Sequence, residues 1–142
     1  MKRILFILLL IFLTASFLSA RGEAFFYRGI TYILIDDASM ATDNMNRYFN
    51  MNPDPALKGG FLKLINKEYD SAMDLFQTFL NRNIRSTNGL VGIALSTAHM
   101  EVSNTMELLE RALRLNRRYS PAYLCLGVEY MKIKNFPQAE RN

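Results

Sequence analysis

The stretch YLCLGVEY, Tyr123 to Tyr130, decides how the rest of the chain is read. Its apolar residues fall at helical spacing, and a glycine, Gly127, sits among large neighbours. A glycine inside a helix costs about 1 kcal/mol against alanine, so its place implies a close approach by another chain segment. Working outward, small residues recur at the same point of three earlier apolar segments. Gly29, Gly60, Ala94 and Gly127 stand 31, 34 and 33 residues apart. A self-similar period of this length signals stacked supersecondary units.

A second small residue follows each first one. Ala41, Ala72 and Ala139 come twelve residues after Gly29, Gly60 and Gly127, and Thr105 comes eleven after Ala94. A large apolar residue lies four further on in three units, as Ala41–Met45, Ala72–Phe76 and Thr105–Leu109. Each unit therefore reads as two helices packed antiparallel, the small residue of the first facing the small residue of the second. Asp54 with Pro55, and Ser120 with Pro121, mark helix starts by a capping side chain followed by proline. No strand-like alternation persists anywhere after the leader.

This pattern resembles the tetratricopeptide repeat. Tyr123 to Tyr130 is similar to that family's aromatic-x-x-Leu-Gly-x-x-Tyr signature, and Glu110 to Asn116, ERALRLN, looks like its usual helix ending. The resemblance covers about residues 22 to 142. It implies an all-α fold, a right-handed α-solenoid of antiparallel helix hairpins with about 3.5 units: roughly 22–52, 53–86, 87–119 and a shortened 120–142. Departures occur. Ala56 and Leu90 stand where an aromatic is usual, Thr97 replaces a tyrosine, and the terminal proline is Ile84 in the second unit and Arg117 in the third. In the fourth unit Pro137 is expected to open a second helix of only six residues to Asn142. The apolar side of the helix before it is then left partly uncovered, either because the chain is a piece of a longer product or because a partner covers it.

The first twenty residues, MKRILFILLLIFLTASFLSA, read as an address. Lys2 and Arg3 are followed by an unbroken apolar run from Ile4 to Leu13, then by small residues up to Ala20. The run to Leu18 is short for a spanning helix, which needs about twenty residues. A cleaved signal peptide and an uncleaved anchor through residues 4–18 both remain open. Either places the rest outside the cytoplasm, periplasmic or secreted, or membrane-anchored and facing outward.

Composition narrows the function. The net charge is +4, of which Lys2 and Arg3 supply two, and no run of five like charges exists; a nucleic-acid partner is not expected. One cysteine, Cys125, and one histidine, His99, exclude an intramolecular disulfide and a cysteine-rich metal site. No phosphate loop, His–Glu metal motif or catalytic triad is present. Asp36–Asp37 suits turn and cap chemistry better than metal binding, and Lys58, Lys63 and Lys67 read as a solvated face. The chain is expected to be non-enzymatic, with no cofactor and no metal.

Tetratricopeptide arrays bind proteins, so the resemblance implies a concave groove lined by the first helices and filled by a peptide or partner helix. Carried over by position, its lining is Phe26, Ile30 and Ile33; Leu57, Phe61 and Leu64; Val91, Leu95 and Ala98; Leu124, Val128 and Met131. All twelve are apolar. The Lys and Asn clamp with which one subgroup of the family holds a C-terminal carboxylate is replaced here by Phe26, Ile30, Leu57 and Phe61. Between Ala24 and Ile35 only Arg28 is charged, and Thr87 to Met100 carries no charge. Such helices are buried among their neighbours, or bind an apolar segment, or meet a membrane surface.

Overall fold

The computed structural model describes residues 20–100 and 104–139, the side chains being described as far as residue 133. The leader therefore lies outside the described residues. Among those residues the protein is all-helical, with no strand. Helix α1 covers 20–34. It is followed by α2 (Ala38–Met51), α3 (Pro55–Ile65), α4 (Tyr69–Arg82), α5 (Thr87–Thr97), α6 (Thr105–Leu115) and α7 (Ser120–Ala139).

Local chemistry sets the helix starts. Asp37 Oδ1 accepts from the Met40 amide at 3.0 Å and opens α2. Asp54 Oδ1 accepts from the Leu57 amide at 2.9 Å, with Pro55 in the first turn of α3. Ser86 Oγ accepts from the Gly89 amide at 3.2 Å and opens α5.

The first two hairpins close by the same device. Asp36 and Lys67 both adopt the left-handed conformation, with φ of 62° and 63°. Around Asp36 the Asp37 amide donates to the Tyr32 carbonyl at 2.9 Å and the Asp36 amide to the Ile33 carbonyl at 3.2 Å. Around Lys67 the Glu68 and Lys67 amides donate in the same way to the Lys63 and Leu64 carbonyls, at 2.9 and 3.0 Å. This pair of bonds is the Schellman ending of a helix, and the next helix starts two residues after the left-handed one.

Packing runs in series. Each helix from α2 onward lies on its neighbours in the chain, and α3 also touches α5, as α5 touches α7. Helix α5 is the most enclosed, with every residue from Gly89 to Thr97 buried. That explains its lack of charge by burial alone. One continuous core joins Phe26, Ile30, Met45, Phe61, Phe76, Leu90 and Leu109.

The atoms nearest to Gly29 and Gly60 belong to large side chains. A Cβ at Gly29 would lie 2.7 Å from Cε of Met45, and one at Gly60 would lie 2.5 Å from Cε1 of Phe76. Each notch receives the large residue four positions after the alanine, because a flat or flexible side chain fills a gap that two small residues would leave empty. A Cβ at Gly92 would lie 2.5 Å from Cε1 of the same Phe76 ring. One phenyl group is thus wedged between α3 and α5, tying the second hairpin to the third.

The other difference is at the end of α7. It runs as one helix through Pro137, where a turn before that residue is expected. A separate helix of six residues would have to nucleate anew, whereas proline removes one backbone bond from a helix already formed.

Candidate functional site

The C-terminal ends of α1, α3 and α5 and the middle of α7 enclose a concavity of about 290 Å³. Its apolar lining includes Ile33, Leu64, Leu95 and Val128, one residue from each first helix. Helical register relates them to the small residues: Ile33 and Leu64 come one turn after Gly29 and Gly60, and Leu95 and Val128 directly follow Ala94 and Gly127. Around this lining stand Tyr32, Asp36, Lys67, Tyr69, His99 and Lys132.

The polar groups are largely partnered. Lys67 Nζ lies 2.9 Å from Asp36 Oδ2, joining the first two hairpin turns. This bond raises the Lys67 ammonium above its ordinary value. Lys132 Nζ lies 2.7 Å from Glu129 Oε1 on the same helix. The His99 ring stacks on Tyr69, with centroids 4.7 Å apart and planes 10° apart. Its pKa is lowered, first by loss of solvent and then by Lys132 and Lys67, against the weaker pull of Glu129 and Asp36. At neutral pH His99 is a neutral, flat, hydrogen-bonding wall. Lys63, expected on a solvated face, bonds Glu68 at 2.5 Å on the outside of the same turn.

Of the twelve groove residues expected from the repeat pattern, Ile33, Leu64, Leu95 and Val128 meet in this concavity. Seven of the twelve are buried: Phe26, Ile30, Leu57, Phe61, Val91, and the two lining residues Leu64 and Leu95. Ile33, Ala98 and Val128 are half-buried. Leu124 and Met131 are exposed and do not line the concavity. The buried aromatic residues of α1 and α3 pack against the protein's own rings. Phe26 stands edge-on to Phe61 at 5.3 Å, and Phe61 edge-on to Phe76 at 4.8 Å.

A second, more polar concavity lies at the other end of these helices, between Glu23, Tyr27, Tyr48, Asn88 and Tyr119. Asn88 Nδ2 donates to the Tyr48 hydroxyl at 2.9 Å, and the Tyr119 hydroxyl donates to Asn88 Oδ1. The relay links α2, α5 and the turn before α7. Burial pushes the Tyr119 hydroxyl well above its ordinary value, so it remains a donor at any physiological pH. Sequence reasoning missed this relay; the one available signal was Asn88, the single amide side chain of α5.

Among the described residues no three His, Cys, Asp or Glu side chains gather to hold a metal ion. The Cys125 thiol is buried and pushed up to about 12, chiefly by loss of solvent, which leaves it a poor nucleophile. No helix of the described residues is long and apolar enough to cross a membrane. Comparison with protein-family models gives no match, and comparison with curated proteins gives none.

Proposed function

We propose that the hairpins form a right-handed α-solenoid of the tetratricopeptide type, exported behind the N-terminal leader, and that it acts without catalysis as a protein-binding scaffold. The observation that carries this reading is the concavity at the ends of the first helices. It has an apolar lining drawn from four helices and a rim that can form hydrogen bonds through Tyr32 and His99. At about 290 Å³ it is at the small end of ligand sites, room for one or two side chains and not for a large cofactor. An amphipathic helix or short peptide presenting an apolar anchor fits that size and polarity. The repeated Schellman turns at Asp36 and Lys67, and the serial packing of α2 to α7, support the solenoid.

The buried state of Phe61 rules it out as a probe of binding, because a charge there would break the core. The half-buried Ile33 and Val128 are the better handles. A photoreactive phenylalanine at Tyr32 in the full chain is expected to cross-link one partner in the compartment to which the chain is exported. Val128→Asp should abolish that product while leaving the helical circular dichroism intact. A product that survives Val128→Asp in a folded chain overturns the groove reading.

A further inference from the structure

The charges of this protein are sorted by end. The start of α1 and the turns α2–α3, α4–α5 and α6–α7 lie together: a Cβ at Gly22 would come within 3.2 Å of Asn52 Nδ2, and Glu23 shares one concavity with Ser86, Asn116 and Tyr119. In these turns and the helix ends beside them stand Arg21, Arg82, Arg85, Arg114, Arg117 and Arg118, all exposed. The carboxylates there are Glu23 and Asp54, of which Asp54 caps α3, and one turn further in Glu110 lies 4.0 Å from Arg114. Among the described residues Arg82, Arg85, Arg117 and Arg118 form no ion pair. The turns at the other end carry Asp36, Asp37, Glu68 and Asp70 against Lys63 and Lys67, both of them ion-paired. Helix dipoles account for Arg82 and Arg114, at the C-terminal ends of α4 and α6, but not for Arg85 just before α5 or Arg118 just before α7.

We propose that this basic end docks on an anionic lipid surface, its arginines holding headgroup phosphates while Ile84 enters the bilayer between them. The planar guanidinium fork matches a phosphate group, and all six of the named cations are arginine. Two observations favour lipid over another polyanion. Ile84 is 65% exposed in the turn between Arg82 and Arg85, and a bilayer offers it an apolar phase that a nucleic acid does not. The apolar leader joins the described chain at residue 20, on this same end. A leader held in the bilayer therefore brings these arginines to the headgroups, within the reach of about 10 Å over which such attraction acts. The concavity lined by Ile33, Leu64, Leu95 and Val128 lies at the opposite end and so faces away from the membrane. Ile35, 64% exposed beside Asp36 and Asp37 at that far end, is a built-in control.

The test uses the full chain on vesicles of phosphatidylcholine, alone or mixed with phosphatidylglycerol. Ile84→Cys and Ile35→Cys each take a polarity-sensitive fluorophore, which the buried Cys125 does not. On the mixed bilayer the label at position 84 should shift to the blue and be quenched by spin-labelled lipid, while the label at position 35 should not. About 1 M salt, where the screening length is about 3 Å, should reverse the change. On the neutral bilayer both labels should stay in water, although the leader tethers the chain there too. Arg82→Gln, Arg85→Gln, Arg117→Gln and Arg118→Gln together should lower the preference for mixed over neutral vesicles at least tenfold, since each such charge is worth roughly fivefold. All four side chains are exposed, so the helical circular dichroism should be unchanged. A label at position 84 that stays in water on the mixed bilayer overturns the proposal, and a short DNA duplex that moves it instead assigns the face to another polyanion. Equal quenching on both bilayers overturns it and assigns the approach to the leader alone. A four-arginine variant with unchanged preference overturns it too and assigns the preference to Lys2 and Arg3.

Discussion

Asp36 and Lys67 occupy the same left-handed position in successive hairpin turns, and their side chains bond each other at 2.9 Å across the mouth of the concavity. Neither is glycine, the residue that enters this conformation without steric cost. The strain and the ion pair therefore sit on the same two residues, and they can be separated. Lys67→Ala and Lys67→Gly both delete the pair, whose side chains are largely exposed and which contributes little. Only the glycine relieves the backbone. Lys67→Gly is expected to be more stable than Lys67→Ala by about 1 kcal/mol in chemical denaturation. Equal stability of the two would mean that Lys67 is not held in the left-handed region.

Phe76 supports two notches at once, so changes on either side of its ring should depend on it. Gly60→Ala or Gly92→Ala brings a methyl within 2.5 Å of the ring and is expected to cost about 1–3 kcal/mol. Phe76→Leu frees room for that methyl. The double variant Gly60→Ala/Phe76→Leu should then lose less than the two single losses added together, the excess being the coupling through one contact. Plain additivity in urea unfolding would show that the ring is not the element between α3 and α5.

Much of this architecture could be read from the sequence, because a helix that approaches another closely must carry a small residue at the crossing, and Gly29 and Gly60 announce it. What could not be read is which side chain enters the gap. Spacing alone pairs small with small, while the folded chain fills the gap with Met45 and Phe76 to reach core density. The turn at Asp36–Asp37 was legible, and Asp37 does cap α2, but the left-handed conformation of Asp36 and Lys67 was not: the expected signal for such a residue is glycine, and here the flanking hydrogen bonds hold an ordinary side chain in that shape. The candidate site was legible only in its third and second positions per helix, Ile33, Leu64, Leu95 and Val128. Residues earlier in the helices, Phe26 and Phe61 among them, are consumed by aromatic packing that a one-dimensional pattern does not register.

His99 makes stability depend on pH in a definite direction. Its folded pKa lies below its ordinary value near 6.5, so the folded state disfavours the charged ring. Its contribution is present above about pH 6.5 and is lost as pH falls through the lowered folded value. Comparing urea midpoints at about pH 7.5 and about pH 5 should show a drop for wild type. His99→Gln, which keeps a flat polar group against Tyr69 but does not titrate, should show a smaller one. An identical drop in both would assign the loss to the carboxylates instead.

In the third hairpin, two departures from the repeat pattern explain each other. Thr97 stands where a tyrosine is expected and Thr105 where an alanine is expected, and their hydroxyl oxygens lie 3.0 Å apart in a buried setting. Thr97 Oγ1 donates to the Ala94 carbonyl at 3.0 Å, so the shared hydrogen comes from Thr105. The two positions are then unequal. Thr97→Val strands the Thr105 hydroxyl in the interior, at a cost of about 1–3 kcal/mol. Thr105→Val leaves Thr97 its carbonyl partner and should cost less. Adding Thr105→Ala to Thr97→Val removes the stranded group and restores the small residue of the other hairpins, so the double variant should recover much of the loss. Denaturant midpoints for the three variants decide the matter, and a double variant no better than Thr97→Val alone would remove the hydroxyl pair as the reason these threonines occur together.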